Sequence, residues 1–231
     1  KKNRDVIECY MPFESIFFFF FLINLHSKKA CTKRILEEAG SALLKKVSDG
    51  DEKVLLLNLK GCSVDALNLL TGMMLASFKF NKYKTVLRPS ENRFLEKIIV
   101  LCDEPKIFQE RFKRINAQIE GTLYARSLTS EPPNVLYPKA YAERLKELEG
   151  YGIEVEILDK HELETIGMTA ILAVSQGSQH NPSVVIMKWM GSKDKTESPI
   201  ALVGKGVCFD AGGLCLKSAP HQFMMKWDKA G

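Results

Sequence analysis

From residue 32 onward, apolar and polar residues alternate between two rhythms along the chain, a helical one near 3.6 and short continuous apolar runs. Residues 32–46 place Ile35, Ala39, Ala42 and Leu43 on one face of an amphipathic helix. Residues 54–59 form a short apolar run bounded by Asp49-Gly50-Asp51 and Gly61, which predicts a strand. Ser63 suits the N-cap of a helix reaching about Phe80, with Leu67, Leu70, Met74 and Phe78 on its inner stripe. Residues 98–102 predict the next strand. Residues 106–127 predict a long helix, its polar face opposed to Phe108, Phe112, Ile115, Ile119 and Leu123. Strands alternating with helices imply βαβ units and a largely parallel sheet.

The rhythm breaks at Thr129-Ser130-Glu131-Pro132-Pro133-Asn134, where two prolines end the helix and stiffen the chain. A domain boundary is expected there, with the long helix as connector. Beyond it the pattern predicts helices over 138–148 and 160–166 and strands over 153–158, 170–174, 183–190 and 200–208. The last two are near-continuous apolar runs, as strands inside a parallel sheet are.

The first thirty residues differ from the rest. Residues 16–23 are an unbroken apolar run containing five consecutive phenylalanines. A membrane-spanning helix needs about 20 such residues, so this run cannot span a bilayer as a helix. Asp5, Glu8 and Glu14 precede it and no A-x-A-like site follows, which argues against a secretory signal. Two readings stay open, a buried strand or low-complexity sequence outside the folded domain. Residue 1 is not Met, so the chain is expected to begin within a longer protein.

Composition adds bounds. Of 231 residues, 45% are apolar and 26% charged, the balance of a packed protein rather than a disordered or collagenous one. The formal charge is +5, yet residues 1–34 hold seven basic groups against three acidic, leaving +1 on the other 197. A nucleic-acid protein spreads its basic stripe over the folded body, so that role is disfavoured. Six cysteines without a C-x-x-C pair, several inside apolar runs, read as buried reduced thiols of a cytoplasmic protein. The four histidines (His26, His161, His180, His221) share no ligand spacing and read as surface residues. Met73, Met74, Met224 and Met225 read as core filler, and Trp189 and Trp227 as packing residues.

Candidate chemistry gathers in the last thirty residues. Residues 201–217 begin as an apolar run and dissolve into glycine: Gly204 and Gly206 flank Lys205, and Gly212 and Gly213 follow Asp210. Reactive side chains at the carboxyl end of a parallel strand are where open α/β sheets build their sites. The glycines permit positive φ or a close approach to another group. A phosphate loop is excluded, because Pro199 occupies the first glycine position of the Walker pattern. A dinucleotide fingerprint fails likewise at Phe209.

What remains is Lys205, Asp210, Lys217 and Asp228. Val203 to Lys217 fits V-G-K-G-x-x-F-D-x-G-G-x-x-x-K at every fixed position, and Met225 stands three residues before Asp228. This segment, with Glu131-Pro132-Pro133-Asn134 and the stretch from Gly167 to Ser178, resembles the leucine aminopeptidase (cytosol aminopeptidase) family over residues 60–231. The resemblance implies an α/β fold with a small amino-terminal α/β domain, a connector helix and the first part of a mixed or parallel-sheet catalytic α/β domain. The corresponding spans are 1–30 unassigned, 31–104, 105–128 and 129–231, the last incomplete at its carboxyl side.

The resemblance also implies a chemistry. Lys205, Asp210 and Asp228 would ligate metal, Asp210 shared between two divalent ions, with Mn²⁺ or Zn²⁺ expected and Mg²⁺ a further candidate. Lys217 would be the catalytic lysine that polarises the scissile carbonyl. A ligating lysine must be neutral, so the pKa of Lys205 would have to fall from about 10.4 to below 7 while Lys217 stays charged nearby. The implied reaction is hydrolysis of an amino-terminal residue, leucine-like by preference, from peptide substrates in the cytoplasm. The full-length protein would be a homohexamer.

Two further carboxylates and an arginine of the family site belong to a later acidic segment, so this chain is expected to be an inactive fragment. Lys229-Ala230-Gly231 also replaces the Met-Gly-Gly usual after the aspartate. Ala211 replaces a small hydroxyl residue, and Ser218 a common proline. The alternative is a non-catalytic remnant or binding module. A DNA-binding accessory role, known among bacterial relatives, is disfavoured by the +1 balance.

Overall fold

A computed structural model describes residues 6–13 and 16–23 (by their backbone), 32–50, 53–60, 65–88, 91, 95–192, 194 and 196–230. It divides into two compact units, Lys1–Tyr124 and Ala125–Gly231.

In the first unit, β1 (Val6–Phe13) and β2 (Ile16–Ile23) pair as an antiparallel hairpin with Cys9 opposite Phe20. The phenylalanine run is therefore a strand. Helix α1 (Lys33–Ser48) starts at Thr32, whose side chain accepts from the Ile35 N–H at 3.4 Å. Lys45 and Lys46 in its last turn face the negative end of the helix dipole. Strand β3 (Val54–Asn58) precedes α2 (Ala66–Ala76), and β4 (Lys97–Leu101) pairs parallel to β3. Asp65, not Ser63, caps α2, accepting from the Leu67 N–H at 3.2 Å; Ser63 lies outside the described residues. The helix also ends at Ala76 rather than near Phe80, with Ser77 in the cap position.

The core of this unit is α1 and α2 against one face of β3. Leu55 and Leu57 are buried while Val54 and Leu56 stay more than half exposed, the period-two signature of a sheet covered on one side. Ala39, Leu43, Leu44, Val47, Leu69, Leu70 and Met73 join Leu55 and Leu57 in the core. The two helices cross at glycines. A Cβ on Gly72 would overlap the Glu37 carbonyl, and one on Gly40 the Leu69 carbonyl. Only hydrogen at both positions lets the backbones come this close.

Helix α3 (Pro105–Ser130) opens on proline, which suits a first turn whose N–H groups have no helical partner. The division between the units falls inside it.

The second unit continues with α4 (Pro138–Lys146), a 3-10 turn at Glu147–Tyr151, β5 (Glu154–Leu158) and α5 (Lys160–Thr165). Asp159 and Glu162 form a capping box at the start of α5. Then come α6 (Thr169–Ser175), β6 (Val184–Lys188), α7 (Ala219–Met224) and a 3-10 turn at Met225–Ala230. Leu128, Leu136, Ala142 and Leu163 are its buried apolar residues, joined by the buried charged residues Glu131 and Lys229.

Four expectations are corrected, three of them in this unit. Residues 170–174 are helical, because Ala, Ile and Leu in a short apolar run satisfy either period and alanine and leucine favour the helix. The strand expected over 183–190 is confined to Val184–Lys188, and it pairs antiparallel to β5 with Glu154 opposite Lys188. Residues 200–208 form no strand. Ile200, Leu202 and Val203 are 91%, 93% and 98% exposed. An apolar run becomes an interior strand only when its N–H and C=O groups pair with neighbours, and no described strand flanks this one. Finally, the thiols are not uniformly buried. Cys102 and Cys208 are half-buried and Cys215, in the glycine-rich loop, is exposed; these three are free. Among the described residues, no helix is long and apolar enough to cross a membrane.

Candidate functional site

The loop from Gly204 to Ser218 owes its shape to three residues in the left-handed region, Gly206 (φ 59°), Gly212 (φ 93°) and Gly213 (φ 69°). Gly212 is confined twice over, since a Cβ there would lie 2.5 Å from the Cys215 carbonyl oxygen and 2.9 Å from the Lys217 nitrogen. The loop closes when the Lys217 N–H donates to the Ala211 carbonyl at 2.9 Å. Asp210 locks it from inside. Its Oδ1 accepts from the Gly212 N–H at 2.8 Å and its Oδ2 from Lys217 Nζ at 2.6 Å.

Lys217 has a second acceptor, the Met225 Sδ at 3.0 Å, and its own carbonyl accepts from Gln222 Nε2 at 2.7 Å. Lys205 Nζ lies 3.6 Å from Asp228 Oδ2, the lysine largely exposed and the aspartate one-third exposed. The structure thus brings the four sequence candidates into two lysine–aspartate pairs. The ammonium of Lys217 chiefly, then the Gly212 N–H, holds the Asp210 carboxyl below its ordinary value, and the charge of Lys205 adds to this.

Behind the turn that carries Met225 and Asp228 stands a buried polar cluster. Lys229 is 2% exposed and its Nζ donates to the Glu131 carbonyl. The Glu131 carboxylate accepts from Arg144 Nη1 at 3.0 Å. Tyr141 Oη donates to the Lys229 carbonyl at 3.5 Å. Burial pushes the Lys229 amine down and the Cys208 thiol and Tyr141 phenol up.

Sequence reasoning missed several things here. Met225 contacts Lys217 rather than filling a core, and Met224 is half exposed because the short helix α7 turns it outward. The Glu131–Arg144–Lys229 cluster carried no local signal, since its members are 13 and 98 residues apart along the chain. Trp189 is 73% exposed, not packed, and Trp227 lies edge-on to Phe223 with Lys226 over its ring. His161 and His221 are on the surface as expected; His180 is half-buried, stacked on Tyr137 at 4.1 Å.

The donors can be tested for fit to a divalent cation. Two carboxylates are each already within ion-pair distance of a positive nitrogen, so this is a place where cations are drawn. Among the described residues no three His, Cys, Asp or Glu gather, so such an ion would need Lys205 as a neutral nitrogen donor beside Asp210 and Asp228. One amine and two carboxylates are donor types that suit a borderline divalent ion.

The fold is shared with an α/β metal-bound enzyme. The structure titled bottromycin maturation enzyme BotP in complex with Mn superposes with a TM-score of 0.77 at 26% identity, covering 97% of this chain and 47% of that one. Residues 123–231 match the sequence model of the cytosol aminopeptidase family, catalytic domain. The probable cytosol aminopeptidase of Caulobacter vibrioides is 36% identical over 210 residues, spanning 91% of this chain and 43% of that protein. That of Methylorubrum populi is 43% identical over 171 residues, spanning 74% and 34%. Residues 123–231 are thus similar to the catalytic domain of the cytosol aminopeptidase family. It spans less than half the length of these curated relatives.

Proposed function

We propose that these residues form part of the site of a two-metal aminopeptidase that releases amino-terminal residues, leucine-like by preference, from peptides in the cytoplasm. The carrying observation is that Lys205, Asp210, Lys217 and Asp228, which fit the family motif, meet as two lysine–aspartate pairs on one glycine-shaped loop and the turn after it. Lys205, Asp210 and Asp228 would hold Mn²⁺ or Zn²⁺, with Mg²⁺ a further candidate. Such an ion, when bound, supplies a hydroxide-like nucleophile near neutral pH and polarises the carbonyl.

The chain's own residues have separate tasks. Lys205 would be the nitrogen donor to such an ion. The Lys217 ammonium beside the Asp210 carboxyl holds it below its ordinary value. Lys217 stays charged and places a preorganised donor where negative charge develops on the substrate carbonyl oxygen, a contribution of about 3–4 kcal/mol to the barrier. The site of the whole protein draws further carboxylates from sequence beyond the motifs found here, and that protein assembles as a homohexamer. BotP, whose structure is titled with Mn, supports the choice of metal.

The test is turnover of a leucine anilide with Mn²⁺. Residues 1–231 alone are expected to give none, and a protein of the relatives' length carrying these residues is expected to turn over. Lys217→Ala in that longer protein should cut kcat at least about 100-fold with Mn²⁺ affinity little changed. An unchanged kcat removes Lys217 from the mechanism, and turnover by residues 1–231 overturns the need for further ligands. One observation favours a non-catalytic remnant instead, the lack of three gathered His, Cys, Asp or Glu among the described residues. That reading expects no turnover at any length.

A further inference from the structure

Between α2 and β4, residues 79–91 hold four basic groups, Lys79, Lys82, Lys84 and Arg88, against Glu91 alone. Their +3 exceeds the +1 of residues 35–231 as a whole, so this loop is a local concentration of positive charge. It is folded around its one acid. Lys84 Nζ reaches Glu91 Oε1 at 2.6 Å, the Arg88 N–H donates to Glu91 Oε2 at 3.0 Å, and Lys79 Nζ donates to the Glu91 carbonyl at 3.4 Å. A turn closes where the Lys84 N–H donates to the Asn81 carbonyl at 3.0 Å.

With the acid engaged inside the loop, the side chains shown to water are basic and apolar together. Val86 is 83% exposed, Tyr83 49% and Leu87 37%. Lys82 and Lys84 precede the two aliphatic residues and Arg88 follows them. Leaving two aliphatic side chains in water is unfavourable, and the charges around them select an anionic partner. A single-stranded nucleic acid supplies the charge, but its bases stack on aromatic rings and offer Val86 and Leu87 nothing apolar. The one exposed ring, Tyr83, already has Lys82 Nζ 5.4 Å from its centroid. An anionic bilayer supplies both parts, headgroups for the cations and the acyl boundary for the aliphatic side chains.

We propose that the 79–91 loop is a docking surface for an anionic lipid bilayer, with Val86 and Leu87 entering the boundary between headgroups and acyl chains, Tyr83 at headgroup level, and Lys79, Lys82 and Arg88 against the anionic headgroups. The surface lies in the first unit and does not depend on the metal-site reading. A few cations and two aliphatic side chains give reversible association rather than an anchor.

The test is sedimentation of the full chain with vesicles of phosphatidylcholine alone and of phosphatidylcholine mixed with phosphatidylserine. The wild type is expected to bind the mixed vesicles at least about 10-fold more tightly than the neutral ones, and to be released as salt rises. Lys82→Gln with Arg88→Gln should weaken that binding about 25-fold, a factor of about five for each basic group at an anionic surface. Val86→Ser with Leu87→Ser should weaken it about 10-fold, while Leu202→Ser, at an exposed leucine of the second unit, leaves it unchanged. These side chains are exposed, so each variant should keep the wild-type circular dichroism. No binding of the wild type to mixed vesicles overturns the proposal. Binding that both loop variants retain in full overturns it as well, because the contact then lies elsewhere in the chain. Binding of a single-stranded oligonucleotide in place of vesicles, lost in Lys82→Gln with Arg88→Gln and kept in Val86→Ser with Leu87→Ser, overturns it in favour of nucleic acid.

Discussion

The crossing of α1 and α2 and the loop 204–218 both depend on glycine, for opposite reasons. At Gly40 and Gly72 the backbone is helical and the missing Cβ makes room for a neighbouring carbonyl. At Gly206 and Gly213 nothing presses on the missing Cβ more closely than ordinary contact, and it is the positive φ that excludes other residues. The first kind of glycine serves packing, and the helices around it bury Leu43, Val47, Leu69, Leu70 and Met73. The second serves chain direction, and around it Ile200, Leu202, Val203 and Leu214 face solvent. One region is held by apolar fit. The other is held by hydrogen bonds and ion pairs, so the two should respond to different perturbations.

The largest effect is expected where the polar region is buried. Glu131 is 2% exposed and its carboxylate is engaged by Arg144. Arg144→Met removes one of the positive groups beside a buried carboxylate, so it should lower the stability of the second unit by about 3 kcal/mol. Urea unfolding of the chain, followed by Trp189 and Trp227 fluorescence, reads this directly, since both tryptophans lie in that unit. An unchanged midpoint would mean that the cluster is ornamental. A smaller loss is expected in the apolar region. Gly72→Ala adds one carbon against the Glu37 carbonyl, which must be relieved by spreading the helices at about 2 kcal/mol. Far-ultraviolet circular dichroism during heating is the measure, and a gain in stability, as alanine alone would give a helix, would sink the close-crossing account.

This contrast also marks what the sequence could reveal. The first unit was readable because its elements are local. Ile98 to Leu101 and the amphipathic spacing of α1 declare their structure within a dozen residues, and a missed cap at Asp65 shifts a boundary by two positions without changing the element. In the second unit the same reasoning misread residues 170–174 and 200–208, since an apolar run there states only that burial is available. Whether it becomes strand depends on partners far away in the chain. The α/β class survived these errors because it rests on alternation rather than on any one element.

For the site, a motif fixes residue types and spacing, so Lys205, Asp210, Lys217 and Asp228 could be singled out before any geometry. Which lysine pairs with which aspartate could not. Lys217 pairs with the aspartate seven residues before it rather than the one eleven after. Gly212 bends the chain back on Asp210 to make that possible. The Glu131–Arg144–Lys229 cluster acts through contacts across the fold, where a linear reading has no purchase, and Met225 reaches Lys217 only through the turn between them.

The smallest effect is expected at Asp210, and its value lies in its sign. The carboxyl is held below its ordinary 3.8, first by Lys217 and then by the Gly212 N–H. A carboxyl depressed in the folded state adds stability that is fully present above the unfolded value. That contribution is lost as pH falls through the lower folded value. The wild-type chain should therefore be more stable than Asp210→Asn at about pH 6, with the difference closing toward about pH 3 and below. The side chain is 46% exposed, so solvent screens the pair and added salt should shrink the gap further. The Gly212 N–H contact can persist in the asparagine variant through its amide oxygen, so what disappears is the ion pair with Lys217 specifically. Urea midpoints for the two proteins at both pH values, each at low and high salt, separate the contributions. A gap independent of pH and salt would show that the loop is held by the Asx turn alone, and the contrast between an apolar and an electrostatic region would then have to be redrawn around Arg144 and Glu131.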